Sequence, residues 1–275
     1  YAGKTIFEAA PPGERVLGYL PEELDWTHAN AGEDEAAGVL DKGAYETMPA
    51  HKLWFFYLPR ICMHCTYPAC LAACPRQAIY KRPEDGIVLV DQSRCRGYRE
   101  CVKACPYEKV LFNPVLRISQ KCIGCYPAVE QGVQPRCVTT CIGKIRLMGF
   151  LSKPGEAKAD RPMDFLVSVR KVALPLYPQL GLEGNVYYIP PVNVPREFLR
   201  QMFGPGVDRA IETYLKGKDD PELLGLLHLF GDTKEIVESF KTVPQTGEVV
   251  GYDNKEREIV RVPVKEPDYL RPFYD

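Results

Sequence analysis

The chain has 275 residues, of which 45% are hydrophobic, and its formal net charge at pH 7 is −1. This length allows one large domain or two smaller ones around a real core, and the near-neutral charge argues against a nucleic-acid partner. The best apolar run, LLGLLHLF at 223–230, is less than half of the roughly 18 residues that indicate a membrane helix, so no direct membrane span is expected.

The first half of the chain changes character at about residue 50. Residues 1–50 are rich in Gly, Pro, Asp and Glu, which predicts a connector or an arm. The aromatic run LWFFYLPRI at 53–61 predicts a buried strand. Further on, AIYKRPEDGIVLV at 78–90 contains two β-type runs around Pro83–Gly86, which predicts a hairpin.

The second half is predicted to be irregular, then helical, then a hairpin. We expect an irregular, proline-rich connection over 151–195, a helical region over 196–241, and a hairpin with an extended tail over 242–275. The hairpin should turn at Asp253–Asn254. The predicted helices are REFLRQMF at 196–203, GVDRAIETYLKG at 206–217, DPELLGLLHLFG at 220–231 with Asp220 as its N-cap, and TKEIVESF at 233–240 with Asp232 as its N-cap.

All eleven cysteines lie between Cys62 and Cys141. A secreted disulfide scaffold would be shorter, with an even number of cysteines spread through it. The clustering, together with C-x2-C and C-P pairs, indicates bound metal. Because free thiols need a reducing compartment during assembly, we expect loading in the cytoplasm.

The cysteines form three groups. The first is Cys62, Cys65, Cys70 and Cys74, followed by Pro75. The second is Cys95, Cys101 and Cys105, followed by Pro106, with Tyr98 where a further cysteine would fit the bacterial ferredoxin run C-x2-C-x2-C-x3-C-P. The third is Cys122, Cys125, Cys137 and Cys141.

The first two groups are expected to exchange their last cysteines, as in two-cluster ferredoxins. One site then takes Cys62, Cys65, Cys70 and Cys105 and holds a [4Fe–4S] cluster. The other takes Cys74, Cys95 and Cys101, which is only three thiolates.

Tyr98 offers a reason for the incomplete second site. Three thiolates fit a [3Fe–4S] cluster, so Tyr98 would block a ligand position and set the cluster type. The alternative is that Tyr98 is a chance substitution and that water or another side chain completes a [4Fe–4S] cluster.

The third group could close one cluster by itself. The crossed arrangement predicts instead that Cys122, Cys125 and Cys137 take a fourth ligand from another group, and that Cys141 serves the cluster of that group. Because no such group occurs in the sequence, we expect an upstream segment with four more cysteines.

Two other classes of protein remain as alternatives. A structural zinc module would use four ligands for each ion, usually as two C-x2-C pairs, which the C-P endings fit poorly. An iron–sulfur enzyme that acts alone would need further chemistry, and the sequence contains no C-x3-C-x2-C radical motif, glycine-rich nucleotide loop or catalytic triad. His64, inside Cys62-x2-Cys65, is expected to be a loop side chain near the cluster, or alternatively a ligand.

The stretch FFYLPRICMHCTYPACLAACPRQAIYKRPEDGIVLVDQSRCRGYRECVKACPYEKV resembles the four-cluster electron-transfer β subunits of the dimethyl sulfoxide reductase superfamily. It is most similar to the branch of nitrate reductase, nitrite oxidoreductase, perchlorate, chlorate and selenate reductases, and ethylbenzene and dimethyl sulfide dehydrogenases. KCIGCYP and KVALPLYPQLG are also similar to that branch, whose nitrate reductases carry an aromatic residue at the position of Tyr98.

The resemblance implies three [4Fe–4S] clusters and one [3Fe–4S] cluster in the complete subunit. It implies a large molybdopterin catalytic subunit as partner, which alone holds the molybdenum cofactor, and a haem b subunit next to the [3Fe–4S] site of Cys74, Cys95 and Cys101. Cys141 would complete the cluster closest to the molybdenum subunit, and Cys122, Cys125 and Cys137 would hold the next one.

The function that the resemblance implies is the relay of single electrons in an oxyanion oxidoreductase. The alternatives are the iron–sulfur subunit of a hydrocarbon or dimethyl sulfide dehydrogenase, of a polysulfide reductase, or of a formate dehydrogenase-like complex. The subunit would be periplasmic by co-export with its partner, or would lie on the cytoplasmic face of the membrane. The expected fold is α+β: a ferredoxin-like dicluster module over 51–150 with hairpins between cysteine groups, an irregular segment and a small helical C-terminal region.

Overall fold

The computed structural model describes residues 56–264, in which short helices and strands alternate. The helices are α1 Ala69–Ala72, α2 Glu100–Ala104, α3 Tyr126–Val129, α4 Arg136–Thr139, α5 Pro162–Asp164, α6 Arg196–Phe203, α7 Val207–Leu215 and α8 Pro221–His228. The strands are β1 Ile79–Lys81, β2 Val88–Val90, β3 Val110–Asn113, β4 Ile118–Lys121, β5 Leu174–Pro175, β6 Tyr187–Tyr188, β7 Ser239–Val243, β8 Glu248–Tyr252 and β9 Glu258–Pro263. A π-helical turn at Phe165–Val169 follows α5, and 3₁₀ turns occupy Pro178–Leu180 and Gly217–Asp219.

Each of the first two cysteine groups is followed by an antiparallel hairpin. The predicted hairpin after the first group is confirmed as β1–β2, in which Ile79 pairs with Val90. A second hairpin, β3–β4, follows the second group and pairs Val110 with Lys121. Its turn is set by Asn113, whose Oδ1 accepts the N–H groups two and three residues on, each at 3.0 Å, because an asparagine side chain can replace a backbone acceptor in a tight turn.

A small hydrophobic core lies between the two cysteine groups and their hairpins. Cys70 of α1 and Cys101 of α2 are buried in it together with apolar residues of the two hairpins, Ile79, Val88 and Val110. The cysteine-bearing helices therefore lie directly against the hairpins that follow them, which brings the two cysteine groups next to each other.

The second half contains two further cores. In one, α6 and α7 pack against the cysteine loops through Met63 and Tyr107. In the other, α8 and the segment 165–173 cover a three-stranded sheet with the order β7-β8-β9. The predicted turn between β8 and β9 is confirmed, since Asp253 accepts the N–H groups of Lys255 and Arg257.

The predicted helices at 196–203 and 220–231 are confirmed, although the second ends at His228. Asp220 is its N-cap and accepts the N–H groups of Glu222 and Leu223 at 3.2 Å. The helix predicted at 206–217 ends at Leu215. Among the described helices, none is long and apolar enough to cross a membrane.

Two local predictions were wrong. Residues 233–240 are not a helix: Glu235 forms a β-bridge with Val133, and β7 begins at Ser239. Pairing with a distant segment of the chain gives Ile236 and Val237 buried positions, which overrides a local capping pattern. The described part of the strand predicted at 53–61, Phe56 to Ile61, is irregular, and it packs through the ring of Phe56 on Phe198 at 6.2 Å. Residues 1–55, including the predicted arm, and the tail at 265–275 lie outside the described residues.

Candidate metal centres

The first cavity lies between the first cysteine group and the end of α2. The thiols that line it are those of Cys62, Cys65, Cys70 and Cys105. The structure thus brings together the four cysteines that the crossed arrangement assigns to one site. Among residues 56–264, no three Cys, His, Asp or Glu side chains converge closely enough to hold a single ion, so these thiols surround a space instead of meeting at a point.

Burial dominates the electrostatics of this cavity. It raises the pKa of the Cys65 thiol to about 11 and that of Cys70 to about 12, with a smaller rise from the neighbouring thiols. The Lys121 ammonium, which also lines the cavity, acts in the opposite direction. Because thiols bind metal as thiolates, a metal group in this cavity must displace the protons that burial holds on Cys65 and Cys70.

The loop that carries Cys62 and Cys65 is held in place by the segment before β6. Asn185 donates its backbone N–H to the carbonyl of Met63 at 2.8 Å and its side-chain Nδ2–H to that of His64 at 2.8 Å. The N–H of Thr66 donates to the Glu183 carbonyl at 2.9 Å. The stretch that the sequence marks only as an irregular connection is therefore the support for the first cavity.

The second cavity is lined by the remaining three thiols of the first two groups. They are those of Cys74, Cys95 and Cys101. Tyr98 also lines this cavity, although 60% of its surface is exposed, and Arg76, Arg96 and Arg99 surround it with positive charge. Arg99 additionally lies over the ring of Phe112, 4.8 Å from its centroid.

Ser119 in β4 connects two of these three thiols. Its backbone N–H donates to Cys95 Sγ at 3.4 Å, and its buried hydroxyl accepts from the thiol of Cys101 at 3.4 Å. If Cys101 is a thiolate, the same hydroxyl can turn and donate to it. Hydrogen bonds to ligand sulfurs are one of the means by which proteins set the potential of iron–sulfur clusters.

The two C-P endings repeat the same backbone geometry. Four residues after each crossing cysteine an N–H donates to its sulfur: Ala78 to Cys74 at 3.3 Å and Lys109 to Cys105 at 3.4 Å. The residue before each donor has a positive φ, 49° at Gln77 and 55° at Glu108. The backbone after the two crossing cysteines therefore follows the same local turn in both groups.

The C-x2-C turns share a second repeated feature. The residue two positions after the first cysteine has a positive φ in all three groups: 42° at His64, 66° at Gly97 and 63° at Gly124. The N–H of Gly124 donates to Cys122 Sγ at 3.3 Å. At Gly124 this left-handed residue turns its amide toward the sulfur. A left-handed residue also precedes Cys65 in the first group and Tyr98 in the second, so Tyr98 follows the same turn as Cys65.

The third group is less enclosed. Burial raises the pKa of Cys137, and the Cys122 and Cys125 thiols raise it further, so these three lie near one another. Arg146 lowers it and donates to the Cys137 carbonyl at 2.9 Å. Cys141 lies in the turn that follows α4 and is half-buried.

Comparison with known proteins agrees with this geometry. Residues 53–151 match the family model of the 4Fe-4S dicluster domain. Among curated proteins, the chain is 53% identical over 211 residues to the chlorate reductase subunit beta of Ideonella dechloratans, and 47% identical over 211 residues to the selenate reductase subunit beta of Thauera selenatis. Each of these alignments covers 70% of this chain and 60% of the relative.

A third relative extends the same group. The perchlorate reductase subunit beta of Dechloromonas aromatica is 45% identical over 196 residues, which cover 71% of this chain and 53% of that protein. Over the aligned residues the chain is therefore similar to the beta subunits of chlorate, selenate and perchlorate reductases. It spans between half and two thirds of their length. The range that matches the dicluster family model, 53–151, includes every cysteine that lines the two cavities and all four cysteines of the third group.

Several residues at the centres were not identified from the sequence. Lys121 and Ser119 line the cavities, and Asn185 holds the loop of Cys62 and Cys65, although all three stand outside the cysteine spacing motifs. The position of Lys121 directly before Cys122 was the only sequence signal that any of them offered.

Proposed function

We propose that the chain is an electron-transfer subunit that relays single electrons through iron–sulfur clusters. The observation that carries the proposal is the sorting of the first two cysteine groups into one cavity with four thiols and one with three thiols and a tyrosine. The match to the 4Fe-4S dicluster domain and the similarity to reductase β subunits support it.

The proposed ligand sets follow the cavities. The four-thiol cavity would hold a [4Fe–4S] cluster through Cys62, Cys65, Cys70 and Cys105. The three-thiol cavity would hold a [3Fe–4S] cluster through Cys74, Cys95 and Cys101, with Tyr98 closing the fourth position. Cys122, Cys125 and Cys137 would hold a further [4Fe–4S] cluster, and Cys141 would serve another, each shared with an N-terminal cysteine group.

The clusters, when bound, supply reversible one-electron chemistry, and the protein residues determine how easily each accepts its electron. Backbone amides such as those of Ala78 and Lys109 donate to ligand sulfurs. Lys121 adds positive charge beside the first cavity, and three arginines add it beside the second. Burial of Cys70 and Cys101 excludes water from the helix side of both. We infer no bond-making chemistry on this chain, which would not be catalytic on its own.

The proposed assembly is that of a molybdenum oxidoreductase. A large molybdopterin subunit would lie at one end of the electron path and a haem b or other redox partner at the other. An oxyanion such as nitrate, chlorate, perchlorate or selenate is favoured as substrate, because the relatives at 45–53% identity include chlorate, perchlorate and selenate reductases. The dimethylsulfide dehydrogenase subunit beta of Rhodovulum sulfidophilum, at 45% identity, supports a dehydrogenase as the second candidate.

Organisation and location complete the proposal. A ferredoxin-like cluster domain at 51–150 would be joined by the connection at 151–195 to a C-terminal part with helices within 196–241 and a hairpin within 242–275, preceded by an arm at 1–50. Clusters would be inserted in the cytoplasm, followed by co-export with the catalytic subunit or retention on the cytoplasmic face.

The test is EPR spectroscopy of the oxidised and reduced protein, purified with its partner subunits. The oxidised wild type should give a [3Fe–4S] signal. Tyr98→Cys should remove that signal and add a cubane signal on reduction. Tyr67→Cys is the matched control, because Tyr67 is 62% exposed and Tyr98 60%, yet Tyr67 does not line the first cavity; it should leave both signals unchanged.

The outcomes test the role of Tyr98 and the electron-transfer function separately. A wild type that shows only cubane signals would contradict the role given to Tyr98 and favour a formate dehydrogenase-like relative. A protein that binds zinc, or no iron at all, would overturn the electron-transfer function itself.

A further inference from the structure

His64 lines the first cavity between two of its cysteines, and its ring is held by a main-chain contact. The N–H of Val88 in β2 donates to His64 Nδ1 at 3.0 Å. Val88 is fully buried, so water does not compete for this contact. Because Nδ1 acts as an acceptor, the neutral ring must carry its proton on Nε2.

The Nε2–H group has no acceptor in the protein. Nε2 is inaccessible to solvent and has no hydrogen-bond partner among the described residues. Buried polar groups without a partner are uncommon, and each one calls for an explanation, since a buried donor without an acceptor destabilises the fold. The missing acceptor is therefore expected to be a group that fills the cavity.

A cluster held by the four thiols would provide that acceptor. Its sulfides and ligand thiolates are electron-rich, and the charge on them grows on reduction. A fixed N–H donor stabilises the reduced form more than the oxidised form and so raises the reduction potential. A protonated Nε2 cannot coordinate iron, and four thiols already line the cavity, so a ligand role for His64 is disfavoured.

We propose that His64 donates its Nε2–H to a sulfur of the cluster held by Cys62, Cys65, Cys70 and Cys105, and thereby raises the potential of that cluster alone. The inference rests on the proposed function, because it requires a cluster in this cavity. His64 acts here as a tuning residue that positions one proton.

Two substitutions test the roles of the two ring nitrogens separately. In His64→Asn the side-chain oxygen can replace Nδ1 as the acceptor for Val88, but no group reaches the position of Nε2. In His64→Gln the amide N–H can reach that position. Asparagine also tolerates the positive φ of 42° at this residue, so the variant that removes the donor keeps the backbone unstrained.

The experiment is an EPR-monitored redox titration of the complete complex, with iron content measured in parallel. His64→Asn should shift the potential of one [4Fe–4S] cluster downward, leave the other clusters unchanged, and keep the full iron content. In His64→Gln, the potential of that cluster should stay close to its wild-type value. His228→Asn is the control, because its ring contacts the Pro263 carbonyl and lines neither cavity; it should change no potential.

A second readout does not depend on potential. With ¹⁵N-labelled histidine, pulsed EPR of the reduced protein should show a ¹⁵N coupling and an exchangeable proton that both vanish in His64→Asn and persist in His228→Asn. An unchanged potential and coupling in His64→Asn would overturn the inference while the proposed function stands. A wild type without cubane signals would instead mean that the proposed function has failed.

Discussion

Replacing Gln134 by alanine is expected to open the contact between the third cysteine group and the segment before β7. Gln134 is fully buried. Its Nε2–H₂ donates to the carbonyls of Thr233 at 3.2 Å and Glu235 at 3.0 Å, and its Oε1 accepts the N–H of Met148 at 3.1 Å. One side chain thus joins three stretches of backbone next to Cys137.

The cost can be worked out from these three contacts. The substitution leaves two carbonyls and one N–H without their partner, and each buried group left in this way costs roughly 1–3 kcal/mol. Water can enter the vacated space and recover part of that loss, so we expect a net destabilisation of about 3 kcal/mol. At about 1.4 kcal/mol for each factor of ten, local opening should become about 100-fold more frequent.

The assay is hydrogen–deuterium exchange of the complete protein. The amides to follow are those of Gln134, which donates to Lys234, and of Ile236, which donates to Gly132. Gln131→Ala is the matched control, because the exposed Gln131 makes a single side-chain hydrogen bond, to Pro127. Equal exchange in the two variants would refute the reasoning, since it would mean that buried and exposed glutamines contribute alike.

Two further predictions concern a glycine and a carboxylate. Gly97→Ala should cost about 2–5 kcal/mol and reduce loading of the second cavity, because a Cβ would lie 2.3 Å from the Arg117 carbonyl oxygen and φ is +66°. Gly132→Ala, with φ +74° and nothing within 4 Å, should cost only the roughly 1–2 kcal/mol of backbone strain; thermal unfolding and iron content check both, and equal losses would contradict the clash. Burial raises the pKa of Asp164, but hydrogen bonds from Ser152 and other donors outweigh it and hold the pKa below its ordinary value. Asp164 therefore stabilises the fold above the ordinary carboxyl pKa, and this contribution should be lost as the pH falls through the lowered one; Asp164→Asn should flatten the acid side of a plot of thermal midpoint against pH, and an unchanged slope would exclude the carboxylate as its cause.

Local signals predicted the parts of the fold that local chemistry determines. The β1–β2 hairpin, helix α6 and the N-cap of α8 lie where capping residues, glycine turns and apolar spacing place them. The sequence also predicted how the cysteines of the first two groups divide between two sites, because ferredoxin spacing ties a C-x2-C turn and a C-P ending to fixed roles.

Contacts between distant segments account for what the sequence did not predict. Residues 233–240 have a helix-capping pattern, but Glu235 pairs with Val133 across about a hundred residues, and no local rule signals such a partner. For the same reason Asn185 and Ser119 could not be assigned to the cavities: each contacts a cysteine loop through a backbone group that only the folded chain brings near.

The repeated turns indicate how clusters bound in the two cavities could differ in reduction potential although the backbone turns around them are alike. Ala78 and Lys109 make equivalent amide contacts with the two crossing cysteines, so these contacts cannot distinguish the two sites. The differences lie in the side chains: His64 and Lys121 at the first cavity, and Tyr98, Ser119 and three arginines at the second. If the clusters are bound as proposed, exchanging these side chains should alter individual potentials without disturbing the amide contacts, because they project from the shared turns and hairpins instead of forming them.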